Sequence, residues 1–261
     1  MLKKITVVRG DLSSPQLLER ILVEYEVESV IHLAAQTIVP IANKNSLSTF
    51  ESNIRGTWNL LEACKHVSSV TSIVAASSDK AYGEAKMLPY KEDFPLSATY
   101  PYDVSKACAD MLCQSYATTF DLPVGITRCG NFFGGGDLNW NRIIPGTIRS
   151  ILRDEAPVIR SDGTLVRDYI YVEDAVSAYL TLAEKLSKKK NLRGEAFNFS
   201  NETQKNVLEL TNLLITIMGS NLKPIIQGNN NGEIKAQFLD STKSKELLDW
   251  RPTFGIEEGL K

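Results

Sequence analysis

The chain has 261 residues, 43% hydrophobic and 23% charged, which is ample for a substantial core and argues against disorder. Its net charge of −2 argues against a general binder of nucleic acid or of an anionic membrane surface. Four cysteines without a CxxC pair and two histidines without zinc spacing argue against a disulfide framework and a metal site. No apolar run approaches the roughly 18 residues of a membrane span. The opening stretch through Val8 is too short for an export signal, so a cytoplasmic protein is expected.

In chain order, Ile5–Val8 reads as a strand and Ser14–Tyr25 as a helix, with Ser13 or Ser14 as cap and Pro15 in its first turn. Ser29–Leu33 is the next predicted strand, followed by a helix over Thr49–Lys65 and a strand over Ser72–Ala76. A helix over Tyr100–Thr119, a strand over Gly125–Thr127, a helix over Val172–Leu186 and a strand over Ala196–Phe199 complete the pattern. Alternation with crossovers this long implies an α/β fold, a parallel sheet covered on both faces. Beyond about residue 130 the alternation fades into Gly-, Asn- and Pro-containing connections, which predicts a second, smaller lobe and a return to the sheet near Ala196. Ligands in such folds bind beyond the carboxyl ends of the strands, so the residues just after each strand are the candidates.

One segment stands out: Ser77-Ser78-Asp79-Lys80-Ala-Tyr82-Gly83, followed by Tyr100-Pro-Tyr102-Asp-Val-Ser-Lys106. Tyr102 and Lys106 are four apart, so a helix places both on one face. A tyrosine hydroxyl, with a reference pKa of about 10, is a poor base at neutral pH unless a nearby cation stabilises its phenolate. Lysine one turn away supplies that cation, and a strand-end serine completes a hydrogen-bonded array around a substrate hydroxyl. An ordinary surface pair on a helix is the alternative for Tyr102 and Lys106 taken alone.

With these motifs the chain resembles the extended short-chain dehydrogenase/reductase family, the NAD-dependent nucleotide-sugar epimerases and dehydratases. The resemblance also runs through Gly10-Asp11-Leu12, His32-Leu33-Ala34-Ala35-Gln36, Asn53-Ile-Arg-Gly-Thr57, Arg128-Cys-Gly-Asn131, Arg167-Asp-Tyr-Ile-Tyr-Val-Glu-Asp174 and Leu247-Leu-Asp-Trp250-Arg-Pro252. It implies a Rossmann-like doubly wound sheet over residues 1–131, to which the chain returns around 166–200. A nucleotide-sugar lobe is implied over 132–165 and 201–261. By the same resemblance Tyr102 is the base at the sugar's 4-hydroxyl, Lys106 holds the nicotinamide ribose, and Ser78 hydrogen-bonds O4. Asp11 and Leu12, the run Leu33, Ala34, Ala35 and Gln36, and Asn53 belong to the cofactor site. The cofactor is NAD, with NADP not excluded. Asn131 and Arg167 match positions that hold the substrate diphosphate, where a guanidinium fork suits phosphate oxygens; a salt bridge to neighbouring acids is the other reading of Arg167. A homodimer through the helices near 49–65 and 100–119 is implied as well.

Asp79 and Lys80 separate the reactions. A 4-epimerase needs only to oxidise C4 and return hydride to the other face. A 4,6-dehydratase must also take a proton from C5 and expel the C6 hydroxyl, which demands an extra acid and an extra base. Asp79 is the candidate acid, and Lys80 the candidate base, since burial can lower a lysine toward neutrality. Ser-Asp-Lys-x-Tyr, with Gly134-Gly-Gly-Asp137 and Asn141-Arg142-Ile-Ile-Pro145, is similar to the CDP-glucose 4,6-dehydratase branch. Asp137 and Arg142 then lie near the nucleotide or sugar. The other reading of Asp79 and Lys80 is a surface ion pair after a strand, and the alternative functions are a 4-epimerase, or a non-catalytic sugar-nucleotide-binding or assembly subunit that does not keep the cofactor.

The resemblance breaks at the start. The family opens with a strand, a GxxGxxG loop and a helix, and here the only glycine before residue 56 is Gly10. The expectation is a chain beginning at the family's third strand, short of its first β-α-β unit by roughly fifty residues. A fragment, a natural short form and a sheet completed by a partner all fit that expectation. Further on, Asp249 stands where the family has glycine, and Gln237 lies near a position where many relatives place a phosphate-binding arginine.

Overall fold

Ser72–Ala76 and Val124–Cys129 are buried along nearly their whole length, the mark of strands covered on both faces. The computed structural model describes residues 5–85, 87–229 and 234–261. The first half of the chain forms α1 (Pro15–Glu24), β1 (Ser29–His32), α2 (Val39–Lys44), α3 (Ser46–Phe50), a π-helical turn (Glu51–Arg55), α4 (Gly56–Lys65), β2 (Ser72–Ala76), α5 (Pro101–Phe120) and β3 (Val124–Cys129). Then come β4 (Asn131–Phe133), α6 (Ile143–Leu152), β5 (Val158–Ile159), β6 (Val166–Tyr171), α7 (Val172–Lys188), β7 (Ala196–Phe199), β8 (Gln204–Asn206), α8 (Val207–Ile217), β9 (Ile225–Ile226), β10 (Ala236–Gln237), α9 (Thr242–Leu248) and α10 (Ile256–Leu260). One sheet has the order β1-β2-β3-β7, with β1 and β2 parallel and Ser29 level with Ser72. A second has the order β10-β6-β4, all parallel, with β8 antiparallel to β6. Among the described residues no helix is long and apolar enough to cross a membrane.

Two predicted elements differ. Ile5–Val8 forms no strand, and Ile5, Val7 and Val8 are exposed. Strand propensity is a fit to a pleated, half-buried surface, and this run has no strand beside it among the described residues. The helix expected over Thr49–Lys65 is α3 and α4 joined by the π turn. That wider turn contains the buried Asn53.

By their contacts the residues gather into two units. The first comprises the chain through Ala76, Thr99–Ile126 and Ala183–Glu195. Within it α4 packs on α1 and α5, and Ile73, Val74, Leu61, Cys113 and Ile126 are among its buried side chains. β1 pairs with β2 alone among the described residues, and Ile31 on it is 40% exposed. The second unit comprises Ser77–Ala98, Thr127–Leu182 and Ala196–Lys261. Its main core gathers Phe133, Ile144, Tyr169, Leu210, Leu214 and Ile256, where α6 and α8 meet β4 and β6. α8 starts from a capping box in which Asn206 accepts from the Glu209 N–H and Glu209 accepts from the Asn206 N–H.

Candidate active site

The residues expected to carry the chemistry divide between the two units. In the second unit the chain enters a short 3-10 turn, Asp79–Tyr82, from an extended Ser78. Ser78 caps it: its Oγ accepts from the Lys80 N–H at 3.2 Å and donates to Asp79 Oδ1 at 3.0 Å. Asp79 is only 4% exposed. Burial pushes its carboxyl above the usual carboxylate range, against the pull of Lys80, the Ser78 hydroxyl and Arg167. A carboxyl inclined to keep its proton is what a general acid requires. Lys80 Nζ donates to Gln237 Oε1 at 3.1 Å.

Behind this turn lies a buried polar network that sequence reasoning did not assemble. Arg128 NH1 donates to the Tyr82 hydroxyl at 2.9 Å and to Glu92 O at 3.1 Å, and its guanidinium lies 4.8 Å from the Tyr82 ring centre. The Tyr82 hydroxyl in turn donates to Asn198 Oδ1 at 2.7 Å. The Tyr82 and Tyr90 rings stack at 4.9 Å, and the Tyr90 hydroxyl donates to Gly83 O at 2.6 Å. The signal for this network was a charged or amide residue inside an apolar strand, Arg128 on β3 and Asn198 on β7. Such groups are buried only when paired.

Other second-unit candidates are less tightly bound to the turn. Arg167 NH1 donates to Val166 O at 2.9 Å and Ile234 O at 2.8 Å, and its charge reaches Asp79. Asn131 is exposed, with Nδ2 3.4 Å from Asp168 O. Arg142 NH1 pairs with Asp137 Oδ2 at 3.1 Å, and Asp137 lines a cavity of about 200 Å³ together with Gly134–Gly136 and Trp140. Asp168, next to Arg167, is another residue that the motifs hid. It is fully buried, with Oδ2 accepting from Ser200 Oγ at 2.5 Å and the Leu239 N–H at 3.1 Å. Its Oδ1 has no hydrogen-bond partner among the described residues, and burial raises the carboxyl to about 7.

In the first unit, Tyr102 and Lys106 lie one turn apart on α5, both buried, with Pro101 opening the helix. Lys106 Nζ donates to Ala76 O at 2.8 Å, and burial lowers its ammonium to about 8. Beyond β1, Leu33 and Ala34 are exposed, whereas Ala35 and Gln36 are half-buried. The Gln36 backbone is gripped at both ends of its peptide: its N–H donates to Asn53 Oδ1 at 2.7 Å, and its carbonyl accepts from Asn53 Nδ2 at 3.0 Å. Asn53 Nδ2 also reaches Ser105 Oγ at 2.8 Å, tying the loop to α5. His32 Nε2 is 3.0 Å from Thr57 Oγ1, which itself donates to Asn53 O, so the imidazole is the donor. Asp11 is exposed and accepts from the Ser13 N–H, whereas Leu12 O accepts from Asn59 Nδ2 at 2.8 Å, fastening it to α4.

A family model described as GDP-mannose 4,6 dehydratase matches residues 1–261. The CDP-glucose 4,6-dehydratase of Salmonella typhimurium is 30% identical over 96% of the chain and 73% of its own length. Among solved structures, the dTDP-glucose 4,6-dehydratase of Bacillus anthracis in complex with NAD superposes with a TM-score of 0.84 at 29% identity, over 97% of this chain and 76% of that one. The UDP-glucose 4-epimerase of Thermotoga maritima with UDP-glucose superposes with a TM-score of 0.89 at 29% identity, over 100% of this chain and 85% of that one.

Proposed function

The chain belongs to the GDP-mannose 4,6-dehydratase family of nucleotide-sugar dehydratases and epimerases, and from that membership we propose that it is an NAD-dependent nucleotide-sugar 4,6-dehydratase acting on a CDP-glucose-like substrate. The observation that carries the choice is the buried Asp79 beside Lys80 on a turn capped by Ser78, an acid and a base beyond what epimerisation needs.

The donor set of the first unit suits the nicotinamide-ribose end of NAD: a buried phenol and ammonium one turn apart on α5, and a Gln36 peptide held by Asn53. Asp11 and Leu12, and the run Leu33 to Gln36, would hold the remainder. When bound, NAD would supply the hydride acceptor and donor for the sugar. Tyr102 removes the 4-hydroxyl proton, with the Lys106 ammonium favouring its phenolate, and the Ser78 hydroxyl hydrogen-bonds O4. Lys80 takes the proton from C5. Asp79 delivers its proton to the C6 hydroxyl, which leaves as water. Asn131 and Arg167 hold the diphosphate, with Asp137 and Arg142 nearer the nucleotide, beside a lobe formed by 132–165 and 201–261. Exposed Trp58 and Met111, on α4 and α5, offer apolar surface for the homodimer, and the cytoplasm is the proposed location.

The test is incubation with NAD⁺ and CDP-, dTDP-, UDP- or GDP-hexose, the product read by NMR. A 4-keto-6-deoxy sugar supports the reading. Inversion at C4 alone replaces it with the epimerase that the Thermotoga likeness favours. No conversion of any of the four, with NAD⁺ bound or unbound, supports a binding subunit. In Asp79→Asn, water loss is expected to fall by about 10²–10⁴-fold, while exchange of hydrogen at C4 persists. Normal turnover in that variant removes Asp79 from the acid role.

A further inference from the structure

The partner of Lys80 is a residue that this chemistry leaves unassigned. Gln237 lies on β10, level with Arg167 of β6, and its side chain is fully buried. Its Oε1 accepts from Lys80 Nζ at 3.1 Å across 157 positions of chain. The sense of the amide is dictated, since an ammonium has only donors and the oxygen must face it. Nε2 is thereby directed away from Lys80 and is buried, with the Tyr90 hydroxyl as a neighbour of the amide. The Tyr90 hydroxyl also interacts with this amide, so Gln237 sits between Lys80 and Tyr90, and its bond to Lys80 is the one made across to the turn. The ionisable groups around the pair are Asp79 on the same turn, Arg167 and Asp168 on β6, Tyr90, and Cys129 on β3.

We propose that Gln237 is the positioning residue for Lys80, holding its amine in place for proton removal at C5 without fixing its charge. The proposal rests on the dehydratase reading above. In the step concerned, the C5–H bond breaks and its proton passes to Nζ. Its electron pair becomes the C5=C6 double bond, and the C6–O bond breaks with the Asp79 proton carried off in water. A neutral amide oxygen steadies an N–H of the amine in either protonation state. A carboxylate at the same place would hold the proton on, and a guanidinium would repel the ammonium.

Two variants of similar size test this, with CDP-glucose, or whichever of the four nucleotide hexoses the wild-type protein dehydrates. Gln237→Met removes the acceptor: kcat is expected to fall by about 10–100-fold while KM for the sugar nucleotide stays within about twofold. Deuterium from solvent should enter C5 correspondingly more slowly. Gln237→Glu adds a charge: the ascending limb of the kcat–pH profile is expected to move up by about one pH unit or more. The Lys80 titration, followed by NMR of ¹³C-methylated lysines in the protein without substrate, should move with it. A role in packing alone predicts an unmoved Lys80 titration in Gln237→Glu and a lowered melting temperature without the kcat–KM split in Gln237→Met, and that result overturns the proposal. Where Gln237→Met does not fold, the Gln237→Glu titration decides. A wild-type protein that dehydrates none of the four sugars refutes the dehydratase reading, whereas a dehydrating wild type with an unmoved Gln237→Glu profile refutes this assignment alone.

Discussion

His32 and Asp168 are buried groups whose titrations act on stability in opposite senses. Burial, reinforced by the Lys106 charge, lowers the His32 imidazole to about 4 from its ordinary 6.5. The folded protein therefore favours the neutral ring, and the unfolded chain binds more protons between those two values. His32's contribution is complete above pH 6.5 and is lost as pH falls toward 4, by about 3 kcal/mol at most. Gln can still donate to Thr57 but has no such titration, so His32→Gln should flatten the decline in melting temperature between pH 6.5 and 4. A decline as steep as in the wild type would place the loss elsewhere. Asp168 runs the other way: raised to about 7, it favours the protonated form when folded, and its contribution falls as pH rises from 3.8 to 7. Neither group was recoverable from motif spacing. In the sequence His32 is only the first residue of the His32–Gln36 motif and Asp168 only the neighbour of Arg167, because burial is a three-dimensional fact.

The turn that bears Asp79 and Lys80 is held from behind rather than by its own length. Three or four residues of 3-10 helix have little intrinsic stability. Tyr82 at its end is stacked on Tyr90 and bonded to Arg128 and Asn198, and Gly83 closes it at φ +67°. A Cβ on Gly83 would meet Ser97 O at 2.2 Å in a conformation that L residues rarely adopt. Gly83→Ala should therefore destabilise by at least about 2 kcal/mol in urea unfolding. Its loss of dehydration should exceed its loss of C4 hydrogen exchange if the turn carries the proposed acid and base. Equal loss of both would deny the turn a separate role. The sequence pattern located this element by its residues, Ser78 through Tyr82, but not its supports. Tyr82 and Asn198 are 116 positions apart, and periodicity reports which face a residue occupies within an element, not which distant segment lies opposite. The π turn escaped for a different reason: one residue more per turn, once, barely disturbs a helical pattern.

Across the molecule, the alternation of short β-branched runs with long amphipathic ones was enough to recover α1, β1, β2, α5, β3, α7 and β7, all close to their observed bounds. The order of family motifs along the chain supplied the rest of the fold class. What stayed hidden was the build of the second unit, where β5, β9 and β10 are two residues each and leave no periodic trace. Some motif residues there prove to be fastenings: Asp174 accepts from the Thr253 and Phe254 N–H groups, and Trp250 Nε1 donates to Ser177 Oγ. The expectation at Ile5–Val8 failed because an apolar run becomes a strand only against a partner, and composition cannot say whether one is present.

β1 has a consequence for handling the protein in solution. Among the described residues no strand pairs its other side, which carries Ile31 and, just beyond, Leu33, 40% and 61% exposed. Such a rim is a template on which a like rim of another molecule can zip, and crowding of molecules would drive association that has nothing to do with catalysis. Ile31→Lys places a charge on that rim and leaves the buried His32 beside it untouched. Light scattering of concentrated samples should then show fewer large particles in Ile31→Lys than in the wild-type protein. Equal scattering would mean that the colloidal behaviour is governed by another surface.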